Sequence, residues 1–363
     1  MKNIKACIVG TGGIARQHVS GLREHSDRIE LVAVQDVNAS AAAAFAAEFA
    51  VPAVYTELAA LLAREKPDLV HICTPPSVHS ALAIQCMQAG AHVLCEKPLC
   101  ASLAELAMIQ EAELRTSRFC ASVFQMRYGS SAQHVRSVIG ANELGRPLVA
   151  ACHTLWYRDV AYYQVPWRGK WTNEFGGPTV GHGIHAMDQL LFLLGDWKNV
   201  RAVARTRDRA IEVEDVSAAI VEFANGCVAT VINSVISPRQ ETFLRLDLQD
   251  ATIELTHLYQ YNNKSWRFTA APTADPAAFV WLCALPPDKP ATHGAQIAAL
   301  LENIRLGTVP LTAGAEARNT IELVTAIYKS SFTGEVVVRG SITANDPFYG
   351  SFHGGQGASM RVA

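Results

Sequence analysis

A short charged motif, Glu96-Lys97-Pro98, follows directly after the strand-like run His92–Cys95. A strand that runs straight into charged residues places them at the carboxyl edge of a sheet, and Pro98 stiffens the exit because its ring fixes φ. A lysine held there can hydrogen-bond a hydroxyl and stabilise the alkoxide that develops as hydride leaves its carbon. The motif therefore makes Lys97 a candidate catalytic residue and a candidate substrate contact.

Two histidines lie in a second dense stretch, the glycine-led segment 176–188. If a helix begins near Val180, His182 and His185 are neighbours three residues apart. A histidine can act as general base toward an alcohol because its pKa lies near neutral pH. Two other interpretations stay open: His182, His185 and Asp188 could bind a metal, although this spacing lacks a firm ligand pattern, or His185 could be a hydrogen-bonded core histidine. We expect no metal.

Aromatic residues and arginines alternate in the preceding segment, which contains Trp156-Tyr157-Arg158, Tyr162-Tyr163, Trp167-Arg168 and Trp171. Sugar rings stack on aromatic side chains, so this composition is consistent with a polyol site, although aromatics in sheet proteins are mostly core residues. Arg158 and Arg168 are the stronger candidates because arginines are rarely buried without a partner. The residues assigned to substrate binding are Lys97, Arg127, Tyr157, Arg168, His182 and His185.

The segment Gly10-Thr11-Gly12-Gly13-Ile14-Ala15 joins the apolar run Ile4–Val9 to the helix-like segment Ala15–His25. A strand, a glycine turn and a helix form the context in which G-x-G-x-x-G/A binds a dinucleotide. The first glycine permits a tight turn, the second lets the backbone approach a pyrophosphate, and the helix N-terminus attracts the phosphates. Alone, the pattern fits an ordinary strand–helix turn equally well.

An acidic residue, Asp36, lies just beyond the second predicted strand, 21 positions after Ala15. A carboxylate about 20 residues after the glycine loop binds the ribose 2′-OH of NAD and repels the 2′-phosphate of NADP. The sequence therefore predicts NAD rather than NADP, although a lone aspartate here could instead be a turn or helix N-terminal acid.

The strand before Thr74-Pro75-Pro76 ends at the same edge of the sheet, and His79 could face the crevice there or be an ordinary capping histidine. The residues assigned to cofactor binding are Gly10, Thr11, Gly12, Gly13, Ile14, Asp36, Thr74, Pro75, His79, Glu96 and Lys97.

The elements that position these residues change character near Phe124. Before it, continuous apolar strands alternate with helical segments, which predicts βαβ units and a parallel sheet covered on both faces. After it, long alternating stretches predict a large, mostly antiparallel sheet with helices, and Asn225-Gly226 is a strong hairpin signal. We expect an α/β Rossmann domain at 1–124, an α+β substrate and oligomerisation domain at 125–340, and a tail at 341–363 that is mobile or covers a neighbour.

Length and composition support two globular domains and exclude several functions. The chain has 363 residues, is 50% hydrophobic and carries a net charge of −2, so it offers no electrostatic case for nucleic acid or an anionic membrane. No run reaches ~18 apolar residues, which argues against a membrane span. The nine cysteines are odd in number, irregularly spaced and lack a Cys-x-x-Cys pair. We expect free buried thiols in a reducing compartment, the cytoplasm.

Together these motifs resemble the glucose–fructose oxidoreductase / inositol dehydrogenase (Gfo/Idh/MocA) family. The matching pieces occur in family order over nearly the whole chain: Gly10-x-Gly12-x-x-Ala15, Thr74-Pro75-Pro76 with His79, Glu96-Lys97-Pro98, the glycine-led helix with His185, and Leu323-Val324-x-x-Ile327-Tyr328-x-Ser330. The resemblance implies a Rossmann domain, an open-sheet C-terminal domain, and homodimers or homotetramers formed through that sheet. It also implies hydride transfer between NAD(P) and a hydroxyl of a sugar, inositol or related polyol, with Lys97 and His185 at the catalytic positions.

One departure from the family concerns the residue four positions before His185. Many members carry an aspartate there, and this chain has Gly181. His182 or the substrate could supply the missing contact.

Taken together, the motifs predict an NAD-dependent sugar or polyol dehydrogenase. Two alternatives stay open: an NAD-dependent glycosidase that oxidises its sugar transiently, and a non-enzymatic nucleotide-binding regulator.

Overall fold

The computed structural model describes residues 3–276, 279–280, 283–356 and 360, and the chain divides into two compact units. The first unit comprises Met1–Val123 and Thr292–Arg318, and the second comprises Phe124–Ala291 and Asn319–Ala363. The first boundary lies within one residue of the predicted one. The segment Thr292–Arg318 differs from the prediction, because it belongs to the first unit and not to the C-terminal domain.

The first unit is built on six parallel strands in the order β3-β2-β1-β4-β5-β6, which is the Rossmann order. The strands are β1 Ile4–Val9, β2 Ile29–Gln35, β3 Ala53–Tyr55, β4 Leu69–Ile72, β5 His92–Cys95 and β6 Cys120–Ser122. The helices are α1 Ala15–Arg23, α2 Ala39–Phe49, α3 Leu58–Glu65, α4 His79–Gln88, α5 Leu103–Thr116 and, from the later segment, α10 His293–Leu306.

Helix α10 joins this unit because its apolar side completes the core beside α1. Ile297, Leu300 and Leu301 are fully buried in one cluster with Val19 and Leu22 of α1. Burying such side chains contributes about 1.5–3 kcal/mol each. The pairing of two helices so distant in sequence leaves no local signal, which is why the sequence did not predict it.

The second unit is built on eight strands in the order β13-β12-β11-β7-β10-β9-β8-β14. Only β7 and β10 pair in parallel; the other pairs are antiparallel, as the sequence predicted. The strands are β7 Pro147–Tyr157, β8 Trp197–Arg205, β9 Val216–Phe223, β10 Val228–Ser234, β11 Ile236–Leu248, β12 Ala251–His257, β13 Trp266–Ala270 and β14 Val337–Val338. The helices are α6 Ser130–Gly140, α7 Trp171–Glu174, α8 Pro178–Gly181, α9 Ile184–Leu194, α11 Gly314–Thr333, which crosses the unit boundary, and α12 Pro347–Gly350.

The two faces of this sheet differ in burial. Along β9 and β10 every second residue is buried, and the residues between them are mostly exposed. The exposed face carries large apolar side chains, including Val149, Val203 and Ile220, each more than half exposed. This alternation is the pattern of an antiparallel sheet with one covered face.

The described part of the C-terminal tail packs on the second unit. Phe348 and Phe352 are buried, and the ring of Phe352 stacks on Tyr328 of α11 with centroids 6.0 Å apart. His353 lies against Trp171, with ring centroids 5.4 Å apart. Over 341–356, therefore, the tail is part of its own unit's fold. The sequence-based expectation was a tail that is mobile or covers a neighbour.

All nine cysteines are free, and eight of them are buried, as expected. Burial raises the pKa of the Cys7 thiol to about 12, which keeps it protonated and unreactive. Within the described residues, no helix combines the length and apolar character needed to cross a membrane.

Candidate active site

The glycine loop has the backbone that a dinucleotide requires. Gly10 has φ +87°, and a Cβ at this position would lie 2.9 Å from the carbonyl carbon of Cys73, so only glycine fits. At Gly12 and Gly13 a Cβ would meet nothing within 4 Å, so their backbone is open to a ligand. Ile14 is the N-cap of α1 and has no side-chain acceptor for the amides of the first turn. The N–H groups of Ala15 and Gln17 donate to the carbonyl oxygens of Gly12 and Ile14, so what the helix start offers a pyrophosphate is the positive end of its dipole.

Asp36 is fixed beside this loop. Its Oδ2 accepts hydrogen bonds from the backbone N–H of Thr11 at 2.8 Å and the Thr11 hydroxyl at 2.9 Å, and its Oδ1 accepts from the N–H of Asn38 at 2.9 Å. Partial burial opposes ionisation, but these hydrogen bonds outweigh it and lower the pKa of Asp36. The carboxylate is therefore ionised and oriented, as recognition of a ribose diol requires.

His79 is placed differently from the sequence-based expectation of a crevice-facing side chain. It is fully buried, and its two ring nitrogens lie 2.8 Å from the carbonyl oxygen of Pro98 and 2.9 Å from that of Thr74. Burial lowers the pKa of His79, although the two carbonyl oxygens oppose this effect. With its two nitrogens at these carbonyl oxygens, His79 links the loops after β4 and β5. Its assignment to cofactor binding stays a prediction. Thr74 and Pro75 lie in the loop that it holds.

Lys97 follows β5, and Glu96 anchors its backbone. Glu96 is buried; its Oε2 accepts a hydrogen bond from the Lys97 N–H at 3.1 Å, and its Oε1 lies 3.1 Å from Nε2 of His18 and 3.5 Å from Nε2 of His293. Burial opposes the charge, but the imidazole contacts hold the pKa of Glu96 well below its usual range. Glu96 was assigned to cofactor binding from the sequence. Its contacts in the structure show how it positions the backbone of Lys97.

Three buried side chains of this cluster, His18, Glu96 and His293, bring their ligand atoms within 4.8 Å of one another, which is close enough to hold a metal ion. The sequence analysis missed this group because its members are far apart in the chain. Nδ1 of His18 also lies 2.8 Å from Nδ1 of His71, and burial lowers the pKa of both histidines. Nε2 of His18 lies within hydrogen-bonding distance of the Glu96 carboxylate, whereas Nε2 of His293 is buried and has no hydrogen-bond partner among the described residues.

In the second unit, the single helix predicted to carry His182 and His185 is broken into α8 and α9. His182 has φ −125° and lies between the two helices. Gly183 lies against β10 so closely that a Cβ would come 1.8 Å from Oδ1 of Asn233. This approach requires glycine and offsets the two helices. His185, in the first turn of α9, lies edge-on to Phe124, with ring centroids 6.1 Å apart.

Arg127, assigned to substrate binding from the sequence, is fully buried. Its Nε and one terminal nitrogen each donate to Asp188 at 2.7 Å, and the guanidinium lies 5.2 Å from the Phe192 ring centroid. Asp188, weighed above as a metal ligand, also accepts a hydrogen bond from the Thr320 hydroxyl at 2.8 Å. The bidentate pair joins the 3₁₀ turn Gln125–Tyr128 to α9 and thereby supports the helix that carries His185.

Arg158 is the centre of an aromatic cluster beside His182. Its Nε–H donates to Nε2 of His182 at 3.3 Å, and its guanidinium lies 4.9 Å from the ring centroid of Trp156 and 5.2 Å from that of Tyr162. The Trp156 ring also contacts Tyr259, with centroids 4.8 Å apart. We name Trp156, Arg158, Tyr162, His182 and Tyr259 the Arg158 cluster.

Two other sequence candidates lie near the Arg158 cluster. Tyr157 alternates with Trp156 along β7 and is 41% exposed, so its ring points to the opposite side of the strand. Arg168 packs 3.8 Å from the Tyr162 ring centroid, donates to the Tyr162 hydroxyl, and lies 3.6 Å from Glu174. Its charge is therefore already paired within the fold.

A Rossmann sheet with this glycine loop and an oriented Asp36 defines an NAD-binding oxidoreductase. Residues 4–124 match the model of an oxidoreductase family with an NAD-binding Rossmann fold, and residues 132–256 match the GFO/IDH/MocA C-terminal domain. The chain belongs to the GFO/IDH/MocA family, and it is an NAD-dependent dehydrogenase acting on CH–OH groups. The family, fold class and cofactor predicted from the sequence are confirmed.

Similar proteins include named sugar dehydrogenases. D-glucoside 3-dehydrogenase of Escherichia coli is 27% identical over 72% of this chain and 80% of its own length. D-apiose dehydrogenase of Paraburkholderia graminis is 26% identical over 96% of this chain and 92% of its own. The solved WlbA dehydrogenase of Bordetella pertussis, in complex with NADH and UDP-GlcNAcA, is 25% identical with a TM-score of 0.82, covering 93% of this chain and 99% of that one.

Proposed function

We propose that the protein oxidises a hydroxyl of a sugar, inositol or related polyol, with NAD as the hydride acceptor. The observation that carries the proposal is the anchoring of Lys97: the buried, ionised Glu96 binds the backbone of this lysine in the same unit that holds the NAD loop. The named activities of the relatives, on D-glucosides and D-apiose, support a sugar as substrate.

We assign complementary roles to Lys97 and His185 toward the reacting hydroxyl. His185 removes the hydroxyl proton as general base. Lys97 donates a hydrogen bond to the same oxygen and stabilises the alkoxide as its negative charge develops. The glycine loop and Asp36 would hold NAD, which would supply the acceptor for the hydride that leaves the carbon. No carboxylate at position 181 assists His185, so we assign to His182 the role of its polar neighbour.

A panel of sugars, inositols and polyols, each incubated with NAD and with NADP, tests the proposal through the absorbance of the reduced nicotinamide. We expect NADH formation with at least one polyol, and a fall in turnover of about 10²–10⁴-fold for His185→Asn. Undiminished turnover in this variant would exclude His185 as the base. Released monosaccharide from glycosides without net NADH would indicate a glycosidase instead.

We also propose that two copies of the chain associate through the exposed face of the eight-stranded sheet. This face combines apolar side chains such as Val149 and Ile220 with charged side chains of both signs, among them Arg245 and Glu222. The same face of another copy can therefore bury the apolar side chains and form ion pairs with the charged ones. Light scattering after gel filtration should give a dimer or tetramer, and Ile220→Lys should shift it toward monomer. A monomeric wild type would disprove the proposal.

A further inference from the structure

Arg158 has a half-buried guanidinium, and no carboxylate is among the polar contacts that the described residues make with it. Besides the bond to His182, its terminal nitrogens lie 2.9 Å from the Tyr157 carbonyl oxygen, 3.4 Å from Oε1 of Gln240 and 3.3 Å from the Tyr259 hydroxyl. Among the residues that the structure describes, no carboxylate forms an ion pair with it. A partly desolvated cation without a counter-charge is unfavourable unless a ligand supplies the charge.

The two other arginines beside the Arg158 cluster are each paired with a carboxylate. Arg168 lies 3.6 Å from Glu174, and Arg209 pairs with Asp208. Nε of Arg209 also donates to the carbonyl oxygen of Arg158 at 2.8 Å, which fixes the backbone there. The neighbouring acid, Asp159, accepts from the N–H of Tyr162 at 2.9 Å. The uncompensated positive charge is therefore that of Arg158.

The geometry of the Arg158 cluster allows an anion to replace some of the groups that now contact the guanidinium. The Trp156 and Tyr162 rings hold the guanidinium from its sides. The contacts to Gln240 and Tyr259 are long for hydrogen bonds, whose usual length is about 2.9 Å. Both of these residues are exposed, so this edge of the guanidinium is reached from solvent. The planar N–H fork matches the two oxygens of a carboxylate.

The position of the cluster connects it with the proposed base. Trp156 and Arg158 lie on the same side of the chain at the end of β7, and Arg158 contacts His182, three residues before His185. Position 181, one residue before His182, is a glycine and adds no charge there. The second unit thus presents the cation of Arg158 close in sequence and contact to the histidine assigned to the reacting hydroxyl.

We propose that the substrate is an anionic sugar, and that Arg158 binds its carboxylate, as in a hexuronate. The inference rests on the proposed function, because it assumes that the same molecule carries the hydroxyl that His185 deprotonates. A phosphate offers the same pair of anionic oxygens, so sugar phosphates and sugar nucleotides form separate arms of the test. The exposed ring of Tyr259 supplies apolar surface for the sugar ring.

The test compares matched neutral and acidic sugars: glucose with glucuronate, galactose with galacturonate, and each acid with its methyl ester. Glucose 6-phosphate and UDP-glucose form the separate phosphate and nucleotide arms. Saturation-transfer NMR with the NADH-loaded protein measures binding, and NADH formation from NAD measures turnover. The variants are Arg158→Gln and Arg158→Lys. Arg239→Gln is the control, since it removes an equal charge from an exposed arginine that neighbours Gln240 in sequence and pairs with Glu241.

We expect an acid to bind about 10- to 100-fold more tightly than its ester or neutral sugar. Arg158→Gln should abolish this preference by raising KM for the acid, Arg158→Lys should restore part of it, and Arg239→Gln should keep it. Equal binding of acids and neutral sugars, or an undiminished preference in Arg158→Gln, would overturn the inference. Preference only for sugar phosphates would overturn the carboxylate assignment. Selective binding of acids without NADH formation from any substrate would instead count against the proposed function alone.

Discussion

Asp36 accepts two hydrogen bonds from a single residue of the glycine loop: Thr11 donates its backbone N–H at 2.8 Å and its hydroxyl at 2.9 Å, both to Oδ2. These contacts join the end of β2 to the loop before α1. They also hold the pKa of Asp36 below its ordinary value, although partial burial opposes the charge. A fixed anion at this position favours a ribose diol and disfavours a 2′-phosphate.

We therefore predict that Asp36→Ala weakens the preference for NAD. The loss of hydrogen bonds to a charged acceptor costs about 1.5–3 kcal/mol, so KM for NAD should rise about 10- to 100-fold while NADP loses its repulsion. Steady-state kinetics with both cofactors measure the ratio of kcat/KM. Glu30→Ala removes an exposed acid from the same strand and is the control. An unchanged NAD/NADP ratio in Asp36→Ala would show that Asp36 does not select the cofactor.

Lys97→Met should reduce turnover far more than cofactor affinity. Loss of one group that stabilises an oxyanion typically lowers kcat by about 10²–10³-fold. Binding of NADH, followed by nicotinamide fluorescence, should stay within a few-fold of wild type because the glycine loop and Asp36 are untouched. Methionine keeps the length of the side chain without its charge. Wild-type kcat in this variant with a genuine substrate would remove Lys97 from the mechanism.

Local sequence signals predicted much of the fold and part of the candidate site. The glycine loop, the parallel strands and the Asn225-Gly226 hairpin between β9 and β10 depend on residues close in sequence, and each is present in the structure. The family match confirms the Rossmann fold and NAD binding. The roles of Lys97 and His185 stay predictions.

The features that the sequence did not predict depend on contacts between residues that are far apart in the chain. Helix α10 joins the first unit through a core shared with α1, and Gly183, at the break between α8 and α9, lies close to Asn233 of the distant strand β10. His18 and Glu96 meet from distant segments. Arg127 and Asp188 were assigned separately from sequence, although in the structure they bind each other. None of these relationships has a fixed spacing that a single sequence reveals.

The Arg127–Asp188 pair should be structural, and breaking it should destabilise the second unit. Asp188→Asn leaves a buried guanidinium without its counter-charge, which costs about 3–5 kcal/mol. Replacing both residues, as Arg127→Met with Asp188→Leu, should cost clearly less than the sum of the single substitutions. Urea unfolding followed by tryptophan fluorescence measures each free energy. Additive losses would mean that the two side chains do not act as a pair.

Partly buried histidines with lowered pKa values should make the fold lose stability in mild acid. Burial lowers the pKa of His257 to about 4, below the unfolded value of about 6.5. The folded state thus favours the neutral ring, and the resulting stability is complete above pH ~6.5 and is lost as the pH falls toward 4. His92 has its pKa lowered to about 4 in the same way.

The matched variant for this effect is His257→Gln, which removes one titrating group. Each histidine that binds a proton only on unfolding contributes a slope of up to about 1.4 kcal/mol per pH unit. The free energy of unfolding, measured in urea between pH 8 and pH 4.5, should therefore fall less steeply below pH ~6.5 in His257→Gln than in wild type. Above pH 7 the two proteins should differ by a constant amount, because both rings are neutral there. Parallel curves over the whole range would mean that His257 titrates alike in the folded and unfolded states.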